Sequence, residues 1–453
     1  MQIIIKKGLD IPMGGKPVNW LSPLPKPSCV ALSLDAFEEV RFRLLTKPGD
    51  VVKIGSPLAE NKSIPGQFFV SPASGVVTDI RRGLKRRLLS IVIQVADNEE
   101  FEDYGTLDPK KASREEILHH LNRGGIFPHI RMRPFDLVAN RKDTPRDIFV
   151  KAVESLPYVP SAEYQVEGHE NDFHIGLQTL KALTSGSVHL VFRRYSTCRA
   201  FHEAVGVEKH NVSGPHPASS SSVHIHHIHP IMKADDIVWT LSTTDVIAVG
   251  KMMSKGHYHI DRVMSIAGTG LIKDRGGYFH GRAGFPIDSL ISNKIPNLPV
   301  RLISGDPLTG HAVEPSDFMG FYDTTFGVIP ENLKREPFHF LGFGFGKYSA
   351  SKAYLSGHLR PPASGYDFTT NQHGEERPFV DGSIYNKVMP MRIPTMQLVK
   401  AIMAENFELA VTLGLLEVAS EDFALPTFID PSKIEMMEIV KQGLHRYSRE
   451  MGY

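Results

Sequence analysis

The chain has 453 residues, of which 41% are hydrophobic and 22% are charged, and its formal net charge is +1. This length predicts two to four domains, and the composition is typical of globular proteins. The near-neutral charge disfavours a nucleic-acid partner, which would require a strongly basic surface. The two cysteines, Cys29 and Cys198, are too few for an iron–sulfur cluster or a cysteine-based zinc site, so we expect both to be free and buried.

The apolar segments are too short for a membrane span, since the sequence contains no run of eighteen or more apolar residues. The opening residues, MQIIIKKGLD, also lack the long apolar stretch of a signal peptide. We therefore expect a protein without a transmembrane helix that stays in the cytoplasm and serves a membrane, if at all, from one side.

Short apolar runs separated by turn residues predict β structure over the first hundred residues. Residues 76–80 and 88–95 predict a hairpin with a basic tip. That tip can be read either as a solvated turn or as a docking site for anionic lipid or an acidic partner. Its basic residues are Arg81, Arg82, Lys85, Arg86 and Arg87.

A glycine-rich pattern over residues 47–80 resembles the barrel-sandwich fold of lipoyl and biotinyl domains. It combines Gly49-Asp50-Val51-Val52 with Ser71-Pro72-Ala73-Ser74-Gly75. In carrier domains of this fold a lysine on a tight hairpin tip bears the prosthetic group, and Lys62 is the corresponding candidate here. The segment 62–72 is about two residues longer than the carrier pattern and contains its own Pro-Gly turn, so we predict that Lys62 is not modified.

An α/β domain with a parallel sheet is predicted after residue 112. A capping box at Ser113-Arg114-Glu115-Glu116 starts a helix, and strands at 147–152 and 188–192 flank a helix at 172–183. Residues 121–131 resemble a glycine-rich stretch with which flavoproteins that oxidise NADH hold FMN. Only Gly124 and Gly125 remain of its glycines, so they are weak cofactor-binding candidates, and we predict no retained FMN or NADH binding and no catalytic residue.

Histidines are concentrated between residues 210 and 229, and two more follow at 257 and 259. We expect His224 and His226 to alternate on a strand and to face the same side, as metal ligands would. Asp and Glu are missing from residues 209–234, which disfavours a metal, so we predict packing, hydrogen bonding or partner contact and no metal site. The histidines concerned are His210, His216, His224, His226, His227, His229, His257 and His259.

Short strands with many glycines predict a third, β-rich domain over residues 257–346. Gly268-Thr269-Gly270 and Gly342-Phe343-Gly344-Phe345-Gly346-Lys347 complete neither a dinucleotide fingerprint nor a Walker A loop, and we interpret both as turns. Residues 356–386 predict an extended connection. Helices follow at 395–404, 405–417 and 430–447, with a loop before the last one at Pro426 and Pro431.

Together these segments resemble the A subunit of the sodium-translocating NADH:quinone oxidoreductases, over nearly the whole chain. The segments that carry the resemblance are Ile5-Lys6-Lys7-Gly8-Leu9-Asp10-Ile11-Pro12, Gly15-Lys16-Pro17, Gly49-Asp50-Val51-Val52, Pro72-Ala73-Ser74-Gly75, Gly214-Pro215-His216-Pro217-Ala218, Asp245-Val246-Ile247-Ala248-Val249-Gly250-Lys251, Asp261-Arg262-Val263, Arg301-Leu302-Ile303-Ser304-Gly305 and Val388-Met389-Pro390.

The resemblance implies an α/β multidomain protein with four domains. These are an N-terminal segment with a barrel-sandwich domain (1–105), a Rossmann-like domain (106–256), a β-grasp domain of the soluble-ligand-binding type (257–350), and a linker with a C-terminal helical domain (351–453). It also implies a peripheral position on the cytoplasmic face of the bacterial inner membrane. The partners would be the B to F subunits of the same complex, especially the FMN-bearing membrane protein among them, the B subunit, and ubiquinone is a further candidate.

The implied complex oxidises NADH, reduces ubiquinone and transports sodium ions, using FAD, FMN, riboflavin and iron–sulfur centres. The resemblance implies that this chain binds none of these cofactors and has a structural, quinone-site-supporting role. Two alternatives stay open at this point. One is a soluble NADH- or FMN-binding dehydrogenase component with its site at Gly124 and Gly125, and the other is an acyl or carboxyl carrier that uses Lys62.

Overall fold

The computed structural model of the protein describes residues 1–333 and 341–453. The strands in these ranges are β1 Gln2–Ile4, β2 Val18–Pro23, β3 Cys29–Ser33, β4 Phe42–Leu44, β5 Val51–Val52, β6 Pro57–Asn61, β7 Phe68–Val70, β8 Gly75–Arg82, β9 Leu88–Val95, β10 Arg131–Arg133, β11 Leu137–Val138, β12 Asp147–Ala152, β13 Val188–Arg193, β14 Glu208–Ser213, β15 Val238–Ser242, β16 Asp261–Ala267, β17 Gly277–Arg282, β18 Val300–Ser304, β19 His311–Val313 and β20 Thr325–Pro330.

The helices are α1 Arg114–Arg123, α2 Ala162–Val166, α3 Glu170–Lys181, α4 Arg199–His202, α5 Ser221–Ile228, α6 Thr243–Lys255, α7 Ile287–Ile291, α8 Thr395–Met403, α9 Phe407–Thr412, α10 Ala424–Ile429 and α11 Met436–Glu450. No helix within the described ranges is both long enough and apolar enough to cross a membrane.

Strands β3 to β9 form two small sheets that enclose an apolar core, as the barrel-sandwich prediction requires. One sheet has the order β3-β9-β8-β5 and the other β4-β6-β7. Val30, Leu58, Val77 and Ile91 are fully buried within this module. The predicted hairpin is confirmed, because β8 pairs with β9 in antiparallel register. Their alternating apolar side chains supply one buried face of the module.

The second unit is the predicted α/β domain, built on a seven-stranded, mostly parallel sheet. Its strand order is β1-β14-β13-β12-β15-β10-β11, and the first five of these strands are parallel. Along the chain, β12 is followed outward by β13 and β14, and then β15 returns to the other side of β12. This reversal creates a topological switch point between β12 and β15, where open α/β sheets bind ligands beyond the strand ends.

Helices α3 and α6 cross on one face of this sheet with their backbones in direct contact. A Cβ atom at Gly250 of α6 would lie 1.7 Å from the carbonyl oxygen of Asp172 in α3. A Cβ atom at Gly176 would lie 2.1 Å from the carbonyl oxygen of Val246. Both distances are far inside van der Waals contact, so only glycine allows this crossing.

The expectation of a strand at His224 and His226 is wrong, because both residues lie on helix α5. The Ser220 hydroxyl accepts a hydrogen bond from the Val223 amide and caps the start of this helix. Residues two positions apart on a helix point in nearly opposite directions, whereas on a strand they share a face. His224 and His226 therefore cannot act together as ligands.

The third sheet has the order β19-β18-β20-β16-β17-β2. Its last strand, β2, comes from the N-terminal segment and pairs with β17, while β1 pairs with β14 of the α/β sheet. The first 23 residues thus contribute strands to two other sheets and none to the barrel-sandwich module. The limits of the domains along the chain remain a prediction.

The C-terminal helices pack on the face of the α/β sheet opposite α3 and α6. Their core includes Leu398, Leu415 and Val440 and extends to Ile3 and Val212 of the sheet. The extended connection predicted over residues 356–386 contains only two short 3-10 turns.

Two of the predicted C-terminal helices are shorter than expected. Helix α9 ends at Thr412, since Gly414 adopts a left-handed conformation with φ of +102° and a 3-10 turn follows. The last helix begins at Met436 rather than near 430. The Asp430 carboxylate accepts hydrogen bonds from the amides of Ser432 and Ile434 and holds that segment as a turn.

Candidate functional site

A cleft of about 570 Å³ opens at the switch point, beyond the carboxyl ends of β12 and β15. The barrel-sandwich module, the α/β domain, the third sheet with its loops and the C-terminal segment all contribute to its wall. Glu39 comes from the barrel-sandwich module, Arg133 from β10, Tyr322 from the loop before β20, and Glu421 and His445 from the C-terminal segment. The cleft therefore exists only when these parts are assembled.

Two arginines on β10 line the cleft and pair with its carboxylates. The Arg131 guanidinium lies 3.3 Å from the Asp136 carboxylate and 3.4 Å from Glu39. The Arg133 guanidinium lies 3.5 Å from both Asp136 and Glu421 and donates a hydrogen bond to Ser222 at 3.0 Å. Polar side chains from separate parts of the chain are thereby joined across the cleft.

The pKa values of two carboxylates in this network, Asp136 and Glu421, are shifted in opposite directions. Burial disfavours the ionised form of Asp136, but the Arg131 and Arg133 charges outweigh burial and lower its pKa to about 2. Burial raises the pKa of Glu421, and the neighbouring Asp422 reinforces this effect against the attraction of Arg133. Within the described part of the chain, the buried Nε of Arg133 has no hydrogen-bond partner. Its ion-pair partner is the Asp136 carboxylate, 3.5 Å away.

Aromatic rings form the apolar side of the cleft. The Tyr322 ring lies 5.8 Å from the Arg131 guanidinium carbon, and its hydroxyl donates to the Pro128 carbonyl at 2.6 Å. Burial raises the pKa of the Tyr322 phenol. Phe321 packs edge-on against Phe37 with ring centroids 5.0 Å apart. A flat, partly polar ring would find both stacking surfaces and hydrogen-bond donors here.

A hydrogen-bonded chain of buried side chains ends at the cleft on Asp245, in the first turn of α6. His129 is 1% exposed, and its Nδ1 and Nε2 lie 2.9 Å from the Asp245 carboxylate and the Tyr258 hydroxyl respectively. Burial lowers the pKa of His129 despite Asp245, so the ring is neutral and donates from Nδ1 to the carboxylate.

The other oxygen of Asp245 accepts hydrogen bonds from the amide and hydroxyl of Ser242, at 2.9 and 2.6 Å. Burial opposes ionisation of Asp245, but the hydrogen bond from His129 prevails and lowers its pKa. This capping box starts α6 at the end of β15 and fixes Asp245 as an oriented acceptor at the mouth of the cleft.

Gly124 and Gly125 lie outside the cleft and serve internal packing. A Cβ atom at Gly124 would lie 2.4 Å from the Met252 Cε of α6. Gly125 has φ of +71°, and a Cβ atom there would lie 2.5 Å from Val70 of the barrel-sandwich module. Both glycines are therefore required by the protein's own packing.

The turn that carries Lys62 is docked on the α/β domain instead of projecting freely. Lys62 itself is exposed. Five residues later, the Gln67 amide donates to the Ala139 carbonyl at 2.9 Å, and Asn122 donates to the Gly66 carbonyl at 2.6 Å. A carrier lysine has to swing between distant sites, which this attachment disfavours.

The predicted histidine cluster is divided among separate contacts. His216 hydrogen-bonds Ser155, His226 bonds the Glu417 carboxylate at 2.6 Å, and His257 stacks on Phe101. His224 and His227 contact backbone carbonyls, and His259 lies beside Asp261 and Lys251. His210, on β14, hydrogen-bonds His189, a histidine that the sequence pattern did not single out. His229 lies 2.7 Å from the Asp147 carboxylate at the start of β12.

The basic tip of the β8–β9 hairpin is partly engaged by the protein itself. Arg81 lies 3.4 Å from Asp317 and over the Phe318 ring, and Arg87 lies 3.6 Å from Glu38. Both cysteines are free as predicted, but they are only partly buried.

The cleft residues were missed at the sequence level because they are dispersed over the chain. Arg131, Arg133, Asp136, Asp245 and Glu421 share no motif. One positional signal was available, since Lys151, which also lines the cleft, lies at the carboxyl end of the predicted strand 147–152, where parallel sheets bind ligands.

Two family models match the chain. One, described as the NqrA N-terminal barrel-sandwich hybrid domain, matches residues 3–96, and one described as the NqrA second alpha/beta domain matches residues 112–258. Among solved structures, the match to a chain of an NAD+-reducing [NiFe]-hydrogenase covers 75% of this chain and 63% of the hydrogenase chain. Its TM-score is 0.40 and its sequence identity 10%, so it supports no conclusion.

Curated relatives match the chain over its full length. The A subunit of the Na(+)-translocating NADH-quinone reductase of Chlamydia caviae is 38% identical, covering 100% of this chain and 98% of the relative. The Chlamydia pneumoniae protein of the same name is 39% identical over the same shares. The Rhodopirellula baltica protein is 36% identical over 98% of both chains. Because the similarity runs from end to end at this level, the chain belongs to the A-subunit family of the Na(+)-translocating NADH-quinone reductases.

Proposed function

We propose that the chain works as the A subunit of a sodium-translocating NADH:quinone reductase, a complex that couples ubiquinone reduction to sodium transport. The observation that carries this proposal is full-length similarity to proteins of that name. Within the complex we assign the chain a structural role and the support of a quinone site, without a redox cofactor of its own.

The packing around the two glycines supports a chain that has no flavin. Met252 and Val70 fill the positions next to Gly124 and Gly125. The chain also has only two cysteines, too few for the thiolates of an iron–sulfur cluster. NADH, FAD, FMN, riboflavin and iron–sulfur centres would then belong to the other subunits.

The cleft at the switch point supports a contribution to quinone binding. Phe321 and Tyr322 offer ring surfaces, and the Arg133 guanidinium in the same wall is a hydrogen-bond donor for a carbonyl oxygen. A quinone headgroup is a flat, apolar ring with two such oxygens, so its chemistry fits this combination of walls. Asp245 on the same wall is held as an acceptor for a hydroxyl of the reduced ring.

We further propose that the third sheet is a β-grasp module of the soluble-ligand-binding type and that α8 to α11 form a C-terminal helical domain. The six-stranded mixed sheet with α7 packed on it supports the first assignment. The shared core of the last four helices supports the second. Under this assignment the domain limits are 1–105, 106–256, 257–350 and 351–453.

We place the chain peripherally, on the cytoplasmic face of the bacterial inner membrane. Among the B to F subunits, we propose direct contact with the FMN-bearing one, the B subunit. The result that no helix among the described residues could span a membrane agrees with a peripheral position. The partly exposed basic hairpin tip is a candidate contact with anionic headgroups or an acidic protein surface.

Deletion of the gene followed by complementation tests the proposal in membranes. We expect loss of sodium-dependent NADH:ubiquinone reduction on deletion and recovery with the parent chain. Arg133→Gln should raise the apparent KM for ubiquinone roughly tenfold. NADH oxidation by an artificial acceptor that bypasses quinone should stay unchanged. Arg199→Gln, at an arginine whose side chain is 86% exposed and does not line the cleft, serves as the matched control.

Three outcomes would contradict parts of the proposal. Full quinone reductase activity in the deletion strain would show that the complex does not need the chain. An unchanged KM for ubiquinone in Arg133→Gln would show that the cleft is not part of the quinone site. A flavin absorbance spectrum of the purified chain would favour the soluble NADH- or FMN-binding alternative, and an intact mass increased at Lys62 would favour the carrier.

A further inference from the structure

The amino ends of β12, β13 and β14 lie at the edge of the sheet opposite the cleft, and two buried histidines meet there. His189 is the second residue of β13, and His210 is the third residue of β14. They are 4% exposed each, and their rings face each other, with Nδ1 of His189 and Nε2 of His210 only 3.0 Å apart. Glu208, the first residue of β14, brings its carboxylate to the same place.

The three ligand atoms form a triangle of the size that a metal ion requires. Glu208 Oε2 lies 3.5 Å from His189 Nδ1 and 3.9 Å from His210 Nε2. A triangle with sides of 3.0, 3.5 and 3.9 Å has a circumradius of about 2.0 Å, so one point lies about 2.0 Å from all three atoms. Zinc binds imidazole nitrogen and carboxylate oxygen at about this distance.

The surrounding groups orient these ligands. The Nε2 of His189 lies 3.6 Å from Asp147 Oδ1, and a proton held on that side leaves Nδ1 as a free lone pair. The Ser187 hydroxyl donates to Glu208 at 2.7 Å, and the Ser187 amide donates to Asp147 at 2.9 Å. A histidine ligand whose second nitrogen faces a carboxylate is the usual arrangement around protein metals.

One hydrogen bond joins the two rings, between His189 Nδ1 and His210 Nε2. A cation bound to these two nitrogens would replace that bond. Within the described ranges, the nitrogens on the far side of each ring, His189 Nε2 and His210 Nδ1, are buried and lack a hydrogen-bond partner. Each of them is therefore available to hold the single proton of its neutral ring while the near nitrogen binds the ion.

We propose that His189, Glu208 and His210 bind a divalent transition-metal ion of the zinc class at the amino ends of β13 and β14. The fourth position faces solvent beside Glu208, whose side chain is 59% exposed, and a water molecule completes the coordination there. Binding moves the proton that the rings share from His210 Nε2 to His210 Nδ1, so both rings stay neutral and keep one proton each.

Two carboxylates, Glu208 and Asp147, lie within 4 Å of the rings. Asp147 also pairs with Arg146 at 3.1 Å, so Glu208 is the carboxylate whose charge faces the ion. The ion would join two neighbouring strands and, through Asp147, a third.

Zinc titration of the full, tag-free chain tests the site. After chelator treatment, we expect one zinc ion per chain by calorimetry, with His189→Gln and His210→Gln reducing affinity about tenfold or more. Glu208→Gln should also weaken zinc binding. Because the Glu208 side chain is 59% exposed, this substitution is expected to leave the fold intact. His119→Gln, at an exposed histidine on α1, is the matched control and should bind like the parent.

Cobalt(II) provides an independent readout. Substituted into the site, it should give the visible absorption of a four-coordinate ion, and this absorption should disappear in Glu208→Gln. The proposal is overturned if zinc does not bind stoichiometrically, or if Glu208→Gln and His210→Gln bind with the parent's affinity. In that case the two rings are joined by an ordinary hydrogen bond alone.

Discussion

Asp136 lies between two arginines and is the residue on which the charge balance of the cleft depends. It faces Arg131 at 3.3 Å and Arg133 at 3.5 Å. Removing one partner of a buried ion pair leaves an uncompensated charge, which costs more than the pair contributes when intact. Here the side chain is 29% exposed, so solvent reduces that cost.

Asp136→Asn should lower the free energy of unfolding by about 2 kcal/mol near neutral pH, below the range for fully buried pairs. The folded-state pKa of Asp136 is about 2, below its ordinary value of 3.8. The stabilisation is therefore complete above the unfolded-state pKa and disappears as pH falls towards the folded-state value. Urea denaturation of both proteins at about pH 6 and about pH 3 should show the difference shrinking at the lower pH. A difference that is independent of pH would contradict the assignment.

Gly125 is expected to serve packing, and the stability cost of replacing it tests this role. Gly125→Ala should destabilise the chain by about 2–4 kcal/mol, because it combines a left-handed backbone with a clash against Val70. Gly105 has a similar φ of +77°, but an added Cβ there would have nothing within 4 Å, so Gly105→Ala should cost only about 1–2 kcal/mol. Thermal denaturation of the two variants measures the comparison. Equal costs would show that the contact with Val70 is unimportant.

At the scale of elements, the crossing of α3 and α6 connects the interior of the α/β domain with the cleft. Helix α6 carries Asp245 in its first turn and Gly250 at the crossing. A shift of this helix would therefore move a cleft residue as well as disturb the core. Packed interiors transmit such displacements because they contain little free volume.

Gly250→Ala should destabilise the protein by about 3 kcal/mol or more, although alanine is the better helix former by about 1 kcal/mol. The physical reason is the 1.7 Å approach between the added Cβ and the Asp172 carbonyl. Asn171→Ala, at an exposed position on α3, should change stability by no more than about 0.5 kcal/mol. Chemical denaturation followed by circular dichroism measures both, and a stabilised Gly250→Ala would mean that the helices are farther apart.

The elements that the sequence predicted best are those that carry a local signal. The hairpin of β8 and β9 is marked by two apolar runs on either side of a basic turn, and the apolar residues 148–150 of β12 predict a buried parallel strand. Helix α5 was mistaken for a strand, because its decisive signal is the Ser220 cap and not its periodicity. The cleft could not be predicted, since Glu39, Arg133 and Glu421 meet only after the chain has folded.

At the scale of the whole molecule, the N-terminal segment ties separate sheets together. Strand β1 pairs with β14 and β2 pairs with β17, while the barrel-sandwich module begins only at β3. Ile3 is 2% exposed and belongs to the core shared with the C-terminal helices, whereas its neighbour Ile4 is 54% exposed. A single short strand thus has one face in the core and one in solvent.

Ile3→Ala should lower the free energy of unfolding by about 2–4 kcal/mol through the cavity it leaves. Ile4→Ala removes the same atoms from the exposed face and should change it by no more than about 0.5 kcal/mol. Urea midpoints of the two variants provide the measurement. Similar values for both would mean that β1 does not pack on the α/β sheet.

The pairing of β1 with β14 also has a consequence during translation. Gln2 pairs with Asn211, so a strand that leaves the ribosome early has to wait for a partner made roughly two hundred codons later. The barrel-sandwich module is completed during that interval, whereas β1 keeps an unsatisfied edge. Ribosome-bound chains that stop before residue 208 should therefore expose β1 to chaperones, and chains long enough for β14 to have left the ribosome should withdraw it.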